Sequence, residues 1–185
     1  MAFVLGDSPL HRLTVDEVMR MLDAGVFEDP QRLELLHGVL TEKSVKSPEH
    51  RLLKRHLAAW LDGPDREVFV EDPVVAGRMS LPEPDVAVVP PGEYRHEHPT
   101  DAYLIIEVAI TSLKTDLQVK PPLYAVMGVP DYWVVDVVAR RIHVHRDPTP
   151  DGYAHITTHG PAGTLAPLAV DVPPLDLQAL FDGLR

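Results

Sequence analysis

Prolines set the first limit on what this chain can fold into. Nineteen of its 185 residues are proline, which fits neither a helix interior nor a central strand, because it lacks a backbone N–H and its ring clashes with the preceding turn. The helices and strands must therefore be short. No stretch is long or monotonous enough for a linker, so the sequence predicts one domain over residues 1–185.

Short segments with helical and with strand patterns alternate along the chain. Capping residues and apolar faces predict helices over 14–24, over 47–62, over about 116–127 (kinked or delayed by Pro121 and Pro122) and, as a short helix or turn, at 175–181. Runs of β-branched and aromatic residues predict strands at 68–70, 74–75, 86–89, 103–108, 132–135 and 141–146, with a hairpin at 32–41. This order predicts a mixed α/β fold, a central sheet flanked by helices.

The charge of the chain is uneven along its length. The net charge of −11 argues against a generic nucleic-acid coat or a polybasic membrane binder. More than half of that charge comes from residues 71–107, which hold eight acidic and two basic residues. A basic island upstream remains available for phosphates, although such a face is also typical of an ordinary solvated helix. The island consists of Lys43, Lys46, Arg51, Lys54 and Arg55.

Several kinds of chemistry are excluded by composition. The chain has no cysteine, which excludes disulfides, iron–sulfur clusters, thiolate zinc sites and cysteine nucleophiles. No apolar run approaches the roughly 18–20 residues that span a bilayer, and the first residues lack a signal-peptide pattern. We therefore expect a cytoplasmic protein without a membrane partner.

Two carboxylates stand out against the strands around them. Glu107 interrupts the run Tyr103–Val108, which is otherwise fit for burial on both faces, and strand alternation places it on the face of Tyr103 and Ile105. Asp85 begins the strand upstream. A lone buried carboxylate is costly unless it is paired or binds a cation, and two on adjacent strands could share a hard divalent ion such as Mg²⁺.

A lysine follows these carboxylates at a helical spacing. Lys120 comes one helical turn after Asp116, and near a bound ion it could orient an attacking water and stabilise charge on a phosphate. A purely structural explanation exists as well: Asp85 begins a strand beside its proline, and a structural Arg or Lys neutralises Glu107. Spacing alone leaves both explanations open.

Six short segments together form a more specific pattern. They are Arg32–Gly38, Ser47–His50, Pro84–Val89, Ile106–Val108, Asp116 with Lys120 and Tyr124-Ala125, and Gly128–Asp136. In this order they resemble the Uma-type restriction endonuclease family, part of the PD-(D/E)XK nuclease superfamily, over about residues 12–181. The ordered series is far more specific than any one of its segments.

The resemblance implies a restriction-endonuclease-like α/β core with a metal-dependent phosphodiesterase site. By position, Asp85 and Glu107 are the implied ligands of Mg²⁺ or Mn²⁺, with the Val108 carbonyl as a third oxygen. Lys120 is the implied catalytic lysine, and Glu34 an accessory acid near the same site.

The sequence departs from the family pattern just after Glu107. The standard Glu-x-Lys arrangement puts lysine at position 109, where this chain has Ala109, and Ile110 stands where a polar residue is frequent. The family commonly carries its lysine on the following helix, which fits Lys120. The adjacent Pro121 and Pro122 can alter the direction in which the ammonium group of Lys120 points. These departures concern activity more than fold.

Ten histidines invite a second metal hypothesis. Alternate histidines share strand faces, but a zinc site usually needs three ligands and no third is indicated. We therefore expect surface positions for His143, His145, His96 and His98. For His50 and His56 on the basic helix we expect a solvated surface, with contact to a phosphate as the alternative.

Two functions follow from the sequence. The first is a Mg²⁺- or Mn²⁺-dependent endonuclease that hydrolyses DNA with a metal-activated water, RNA remaining open as a substrate. The second, motivated by Ala109, is a catalytically silent nucleic-acid-binding or assembly module of the same fold. By analogy with nucleases that cut two strands we expect a homodimer. The acidic total predicts weak, salt-dependent affinity for DNA.

Overall fold

A computed structural model describes residues 10–43 and 47–183. The helices in these ranges are α1 (Val15–Asp23), α2 (Pro48–Leu61), α3 (Leu113–Gln118), α4 (Lys120–Val126) and α5 (Leu177–Asp182). The strands are β1 (Leu33–Leu36), β2 (Val39–Glu42), β3 (Glu67–Phe69), β4 (Val86–Val89), β5 (Leu104–Ala109), β6 (Asp131–Asp136), β7 (Arg141–Thr149), β8 (Gly152–His159), β9 (Thr164–Leu165) and β10 (Leu175–Asp176). None of the described helices has the length and apolar character needed to cross a membrane.

A six-stranded mixed sheet forms the centre of the fold, in the order β3-β4-β5-β6-β7-β8. Strands β5 and β6 are parallel, and the other neighbouring pairs are antiparallel. A parallel pair cannot be joined by a tight turn, so the connection from β5 to β6 carries α3 and α4. The predicted mixed α/β fold with a central sheet and flanking helices is confirmed.

The central sheet is buried on both faces, which makes a three-layered fold. Every residue of β4, β5 and β6 is buried. One face packs against α2 and α5 through side chains such as Leu57 and Phe181, and the opposite face packs against α4 through Tyr124. The runs of Val and Ile in these strands follow from this double burial, because neither face meets water.

Strand alternation holds within β5 but not at the residue that precedes the strand. Ile105 packs in one cluster, and Leu104 and Ile106 pack in the other, as predicted. Tyr103 was expected on the face of Ile105 and Glu107, yet it packs with the opposite cluster. It precedes the first residue of β5, so the two-residue period of a strand does not apply to it.

The predicted hairpin forms and is anchored beside the main sheet. Leu36 pairs with Val39, which leaves His37 and Gly38 as a two-residue turn with φ values of 50° and 76°. A Cβ on Gly38 would lie 2.7 Å from the Cβ of Arg12, so the position also demands glycine for space. Strand β1 then packs on α1 through Leu35.

Several segments differ from the sequence prediction, among them the short strands β9 and β10, which were not predicted. Strand β8 was missed because GYAHITTH contains no apolar run and is mostly exposed; its pairing with β7 defines it. The predicted strand 74–75 is irregular, and its N–H groups donate to the carbonyls of Pro82 and Pro99. The predicted helix 116–127 is two helices that meet at Val119, because Pro121 and Pro122 fit only the first turn of a helix.

The buried carboxylate of Asp131 connects β6 to neighbouring segments through hydrogen bonds. Asp131 has no exposed surface, and it accepts hydrogen bonds from Trp133 Nε1 at 2.7 Å, from the Leu168 N–H at 3.0 Å, and from Arg146 Nε and Nη2 at 3.0 and 3.1 Å. All four contacts come from donors. Any donor placed at this position would therefore oppose them.

We predict that Asp131→Asn lowers the free energy of unfolding by roughly 3 kcal/mol, because it removes the charge that pairs with Arg146 and sets an amide N–H₂ against donors. Urea unfolding followed by circular dichroism measures the loss. Asp147→Asn is the matched control: Asp147 is exposed and pairs with His155, so a loss below about 1 kcal/mol is expected. Equal losses in the two variants would contradict the structural role of Asp131.

Candidate active site

The register of β4 and β5 brings two predicted site residues together. Val86 pairs with Ile106 in this antiparallel pair, so Asp85, just before β4, lies opposite Glu107. Both side chains are buried, with residue exposures of 7% and 3%. The Val108 N–H donates to Asp85 Oδ2 at 2.8 Å, so Asp85 is hydrogen-bonded to the residue that follows Glu107.

The ammonium of Lys120 lies among three carboxylates. Its Nζ donates to Glu107 Oε1 at 2.9 Å and lies 3.4 Å from Glu34 Oε2 and 3.7 Å from Asp116 Oδ1. Lys120 itself is 5% exposed. The structure therefore brings together all four residues predicted as catalytic: Asp85, Glu107, Lys120 and Glu34.

The prolines beside Lys120 do not turn it away from the acids. Lys120 is the first residue of α4, and Pro121 and Pro122 occupy the first turn, where the N–H they lack has no partner within the helix. Tyr124 follows one turn later on the same side of α4. Its hydroxyl donates to Glu107 Oε1 at 2.7 Å, so α4 supplies two donors to one carboxylate oxygen.

His50 belongs to the cleft, and the expectation of a solvated surface position was wrong. It is 8% exposed, and its Nε2 lies 3.1 Å from Asp85 Oδ2. An ionised carboxylate only accepts hydrogen bonds, so Nε2 carries the proton. The first turn of α2, capped by Ser47, aims the ring at Asp85. The segment Ser47–His50 was part of the sequence pattern, but spacing alone gave His50 no partner.

Asp116 is another member of the cluster that sequence reasoning left without a role. It is 2% exposed, and Ser112 Oγ donates to its Oδ2 at 2.5 Å. Its place one turn before Lys120 was the available signal. The backbone carbonyl of Asp116 accepts the hydroxyl of Tyr132 at 2.7 Å, which fixes α3 against β6.

Burial and crowding shift the pKa values of these groups in opposite directions. Burial raises the pKa of Glu107 to about 8; Lys120 opposes this rise, and Asp116, Asp85 and Glu34 add to it. Burial also raises the pKa of Asp116. Burial alone would lower the pKa of Lys120, but Glu107, Glu34 and Asp116 outweigh it and hold that pKa above its ordinary value. Lys120 is therefore a cation throughout the neutral pH range.

The pKa of Asp85 is shifted in the direction that favours ionisation. Burial alone would raise its pKa, but the hydrogen bond and charge of His50, together with the Val108 N–H, bring the pKa below its ordinary value. Asp85 and Glu107 thus lie side by side with opposite pKa shifts. Such a separation is typical of functional sites, where environment assigns different tasks to like groups.

These residues line a cleft of about 470 Å³ between the β1–β2 hairpin, the start of α2, and α3 and α4. Its wall is mixed, with apolar side chains such as Val39 and Ile110 beside the acids. Lys43 also lines it and pairs with Glu83 at 2.7 Å. The cleft is large enough for a small substrate or part of a larger one.

The oxygens of this cleft suit a hard divalent cation by type of donor. Both hydrogen bonds to Asp85 go to Oδ2 and both to Glu107 go to Oε1, which leaves Oδ1 and Oε2 without a hydrogen bond in the described part of the chain. Glu34 Oε2 is buried 3.4 Å from Lys120 Nζ and has no hydrogen bond from the described residues either. Carboxylate oxygens are the ligands that Mg²⁺ and Mn²⁺ prefer. Within residues 10–43 and 47–183, no group of three or more His, Asp or Glu side chains is arranged to hold a metal ion. In this structure the ammonium of Lys120 lies among the acids.

The basic island divides in the structure. Arg51 and Arg55 are exposed on α2, whereas Lys54, expected on the same solvated face, is 3% exposed and pairs with Glu71. Lys54 lies one turn after the buried His50 and beside the buried Leu53, at the edge of the apolar face. Lys46 lies outside the described residues.

The strand histidines differ from their predicted surface positions in one case. His145 is 2% exposed and packs between the rings of Tyr132 and Tyr153, with centroid distances of 5.2 and 5.8 Å. Burial lowers the pKa of His145. His143 is partly buried beside Asp136. Aromatic packing accounts for His145.

Comparisons with known proteins bear on the fold and the family. The crystal structure of a putative nuclease belonging to DUF820 from Anabaena variabilis ATCC 29413 is similar, at 18% identity and a TM-score of 0.73 over 94% of this chain and 99% of that one. This likeness confirms the predicted restriction-endonuclease-like fold. No curated protein matches the chain. The model of the Uma2 family, described as "Putative restriction endonuclease", matches residues 15–176, most of the chain, and the protein therefore belongs to the Uma2 family.

Proposed function

We propose that the protein is a metal-dependent endonuclease that hydrolyses phosphodiester bonds of DNA. The observation that carries the proposal is the arrangement of Asp85 and Glu107, with Lys120 beside them. Each acid is held through one oxygen, while its other oxygen has no hydrogen bond from the part of the chain that the structure describes. Membership of a family described as "Putative restriction endonuclease" supports nuclease activity. So does the similarity to a structure described as a putative nuclease.

The metal in this proposal is Mg²⁺ or Mn²⁺. Asp85 Oδ1, Glu107 Oε2 and the Val108 carbonyl are the oxygens that would hold it, with Glu34 as an accessory acid. When bound, the cation supplies an acidified water and offsets charge on the phosphate. His50 keeps Asp85 ionised for this purpose, since their contact lowers the pKa of Asp85.

Lys120 acts as a fixed positive charge in this reaction. The surrounding carboxylates hold its pKa above the ordinary value, so it keeps its proton and does not serve as the base. Its ammonium donates a hydrogen bond and stabilises negative charge that develops on the phosphate during in-line attack by water. A buried donor fixed in place costs little reorganisation at the moment of reaction.

Arg51 and Arg55 are the exposed cations that we assign to the phosphate backbone of the substrate. They lie on α2, whose first turn carries His50 into the cleft, and Lys43 lies on the cleft wall. Two or three such contacts on a chain of charge −11 would give weak and strongly salt-dependent binding. RNA remains open as a substrate, and the homodimer stays a prediction.

We predict that Asp85→Asn and Glu107→Gln each reduce Mn²⁺-dependent cleavage of a supercoiled plasmid by roughly 100-fold or more, because each replaces a carboxyl group, which a bound cation would hold ionised, with a neutral amide. Circular dichroism should show that both variants keep the fold. Asp147→Asn is the matched surface control and should cut like the unmodified protein. Undiminished cutting by either cleft variant would contradict the mechanism.

Lys120→Met separates the role of the lysine from that of the acids. We predict that turnover falls by roughly 10²–10³-fold, the scale for loss of one donor that stabilises a transition state. Mn²⁺ should nevertheless raise the melting temperature at least as much as in the unmodified protein, because the acids lose their internal counter-charge and bind the cation more strongly. Loss of the Mn²⁺ shift together with turnover would place Lys120 in cation binding instead.

A second candidate function is a catalytically silent nucleic-acid-binding module of the same fold. Ala109, in place of the standard lysine, is the observation that favours it. Thermal melting with and without Mn²⁺ discriminates the two, since a ligand that binds only the native state raises its melting temperature. Salt-sensitive DNA binding without a Mn²⁺ shift and without cleavage would favour the silent module.

A further inference from the structure

The two proposed ligand carboxylates are held in the same way. Glu107 Oε1 accepts one hydrogen bond from Lys120 and one from Tyr124, at 2.9 and 2.7 Å. Asp85 Oδ2 accepts one from the Val108 N–H at 2.8 Å and lies 3.1 Å from His50 Nε2. In each case, within residues 10–43 and 47–183, two donors meet at one oxygen and none at the other.

This arrangement fixes the orientation of each carboxylate. A single donor permits rotation about its hydrogen bond, whereas two donors from different directions define the carboxylate plane. The oxygen without a donor then points in one direction. A cation that needs a set of oxygens with defined geometry gains from such fixed ligands, because their ordering has already taken place.

Tyr124 differs from the neighbouring tyrosines in the group that accepts the hydrogen bond from its hydroxyl. Tyr132 and Tyr153 also have largely buried rings, and their hydroxyls donate to the backbone carbonyls of Asp116 and Val129. A buried hydroxyl needs an acceptor, and a carbonyl suffices for that need. Tyr124 instead donates to the carboxylate of Glu107.

His50, on α2, likewise contacts a carboxylate, that of Asp85. Its Nδ1 is buried and has no hydrogen-bond partner among the described residues, so the contact to Asp85 is the hydrogen bond that fixes the ring. We propose that His50 and Tyr124 are positioning residues, which direct Asp85 Oδ1 and Glu107 Oε2 to one divalent cation. This inference rests on the proposed function and adds two residues to its site.

The test for Tyr124 is a Mn²⁺ titration of Tyr124→Phe, followed by melting temperature, with Tyr153→Phe as matched control. Each variant loses one hydroxyl that donates a hydrogen bond inside the protein, so both lose some stability without Mn²⁺. Only Tyr124→Phe should need more Mn²⁺ for the same rise in melting temperature, by roughly 10–100-fold, the usual effect of removing a partner of a metal ligand. A shift in Mn²⁺ requirement below twofold, or an equal shift in Tyr153→Phe, would overturn the role of Tyr124.

The test for His50 uses rescue. His50→Leu should weaken Mn²⁺ binding by a similar roughly 10–100-fold, whereas His50→Gln, whose side-chain amide can donate to Asp85 in place of Nε2, should recover most of the affinity. Equal affinities of the two variants would overturn the role of His50.

Asp85→Asn identifies the shift that belongs to the cleft. If Mn²⁺ raises the melting temperature of the unmodified protein and Asp85→Asn abolishes the rise, the titrations above report on this site. If the unmodified protein shows no rise, or Asp85→Asn keeps all of it, the proposed metal site fails and the positioning roles fail with it. A rise that depends on Asp85 but is unaffected by Tyr124→Phe and His50→Leu would overturn the positioning roles alone.

Discussion

The cleft depends on one ammonium buried among carboxylates. Without Lys120, three acids packed within 4 Å of its nitrogen would repel one another in a region with little water to screen them. With it, the cluster keeps an acidic excess: burial is the main cause of the raised pKa of Glu107, and Asp116, Asp85 and Glu34 add to it. The cluster is therefore compact, yet still attractive to a further positive charge.

The fold positions this cluster through elements from different layers. Glu107 lies in β5 and Asp85 directly precedes β4, and the antiparallel register of these two strands places the two acids opposite each other. His50 comes from the first turn of a helix packed on one face of the sheet, and Tyr124 from a helix packed on the other. Hydrogen bonds from helices on both faces of the sheet therefore hold the two acids. Precisely arranged sites require support of this kind.

Much of this could be predicted from the sequence, and the exceptions have physical reasons. The apolar runs of β4 and β5 identified the central strands, and the ordered motifs identified Asp85, Glu107, Lys120 and Glu34, because local pattern determines both. His50 and Lys54 were misplaced because both lie at the border of the apolar face of α2, where a tertiary partner decides between burial and exposure. Strand β8 has no apolar signature and depends on its pairing with β7. Tyr124 was noticed as part of a motif, but only the structure shows which oxygen it contacts.

The parallel pairing of β5 and β6 has a consequence for the displaced lysine. Two parallel neighbours can be joined only by a segment that leaves the sheet, crosses one face and returns. Here that segment is residues 110–130, and it crosses the face on which Glu107 lies. A backbone path over the acids is therefore obligatory in this topology, whatever residues it carries. In the proposed function, a lysine carried on that path in place of position 109 needs no additional loop or helix, only a residue on a segment that the sheet already needs.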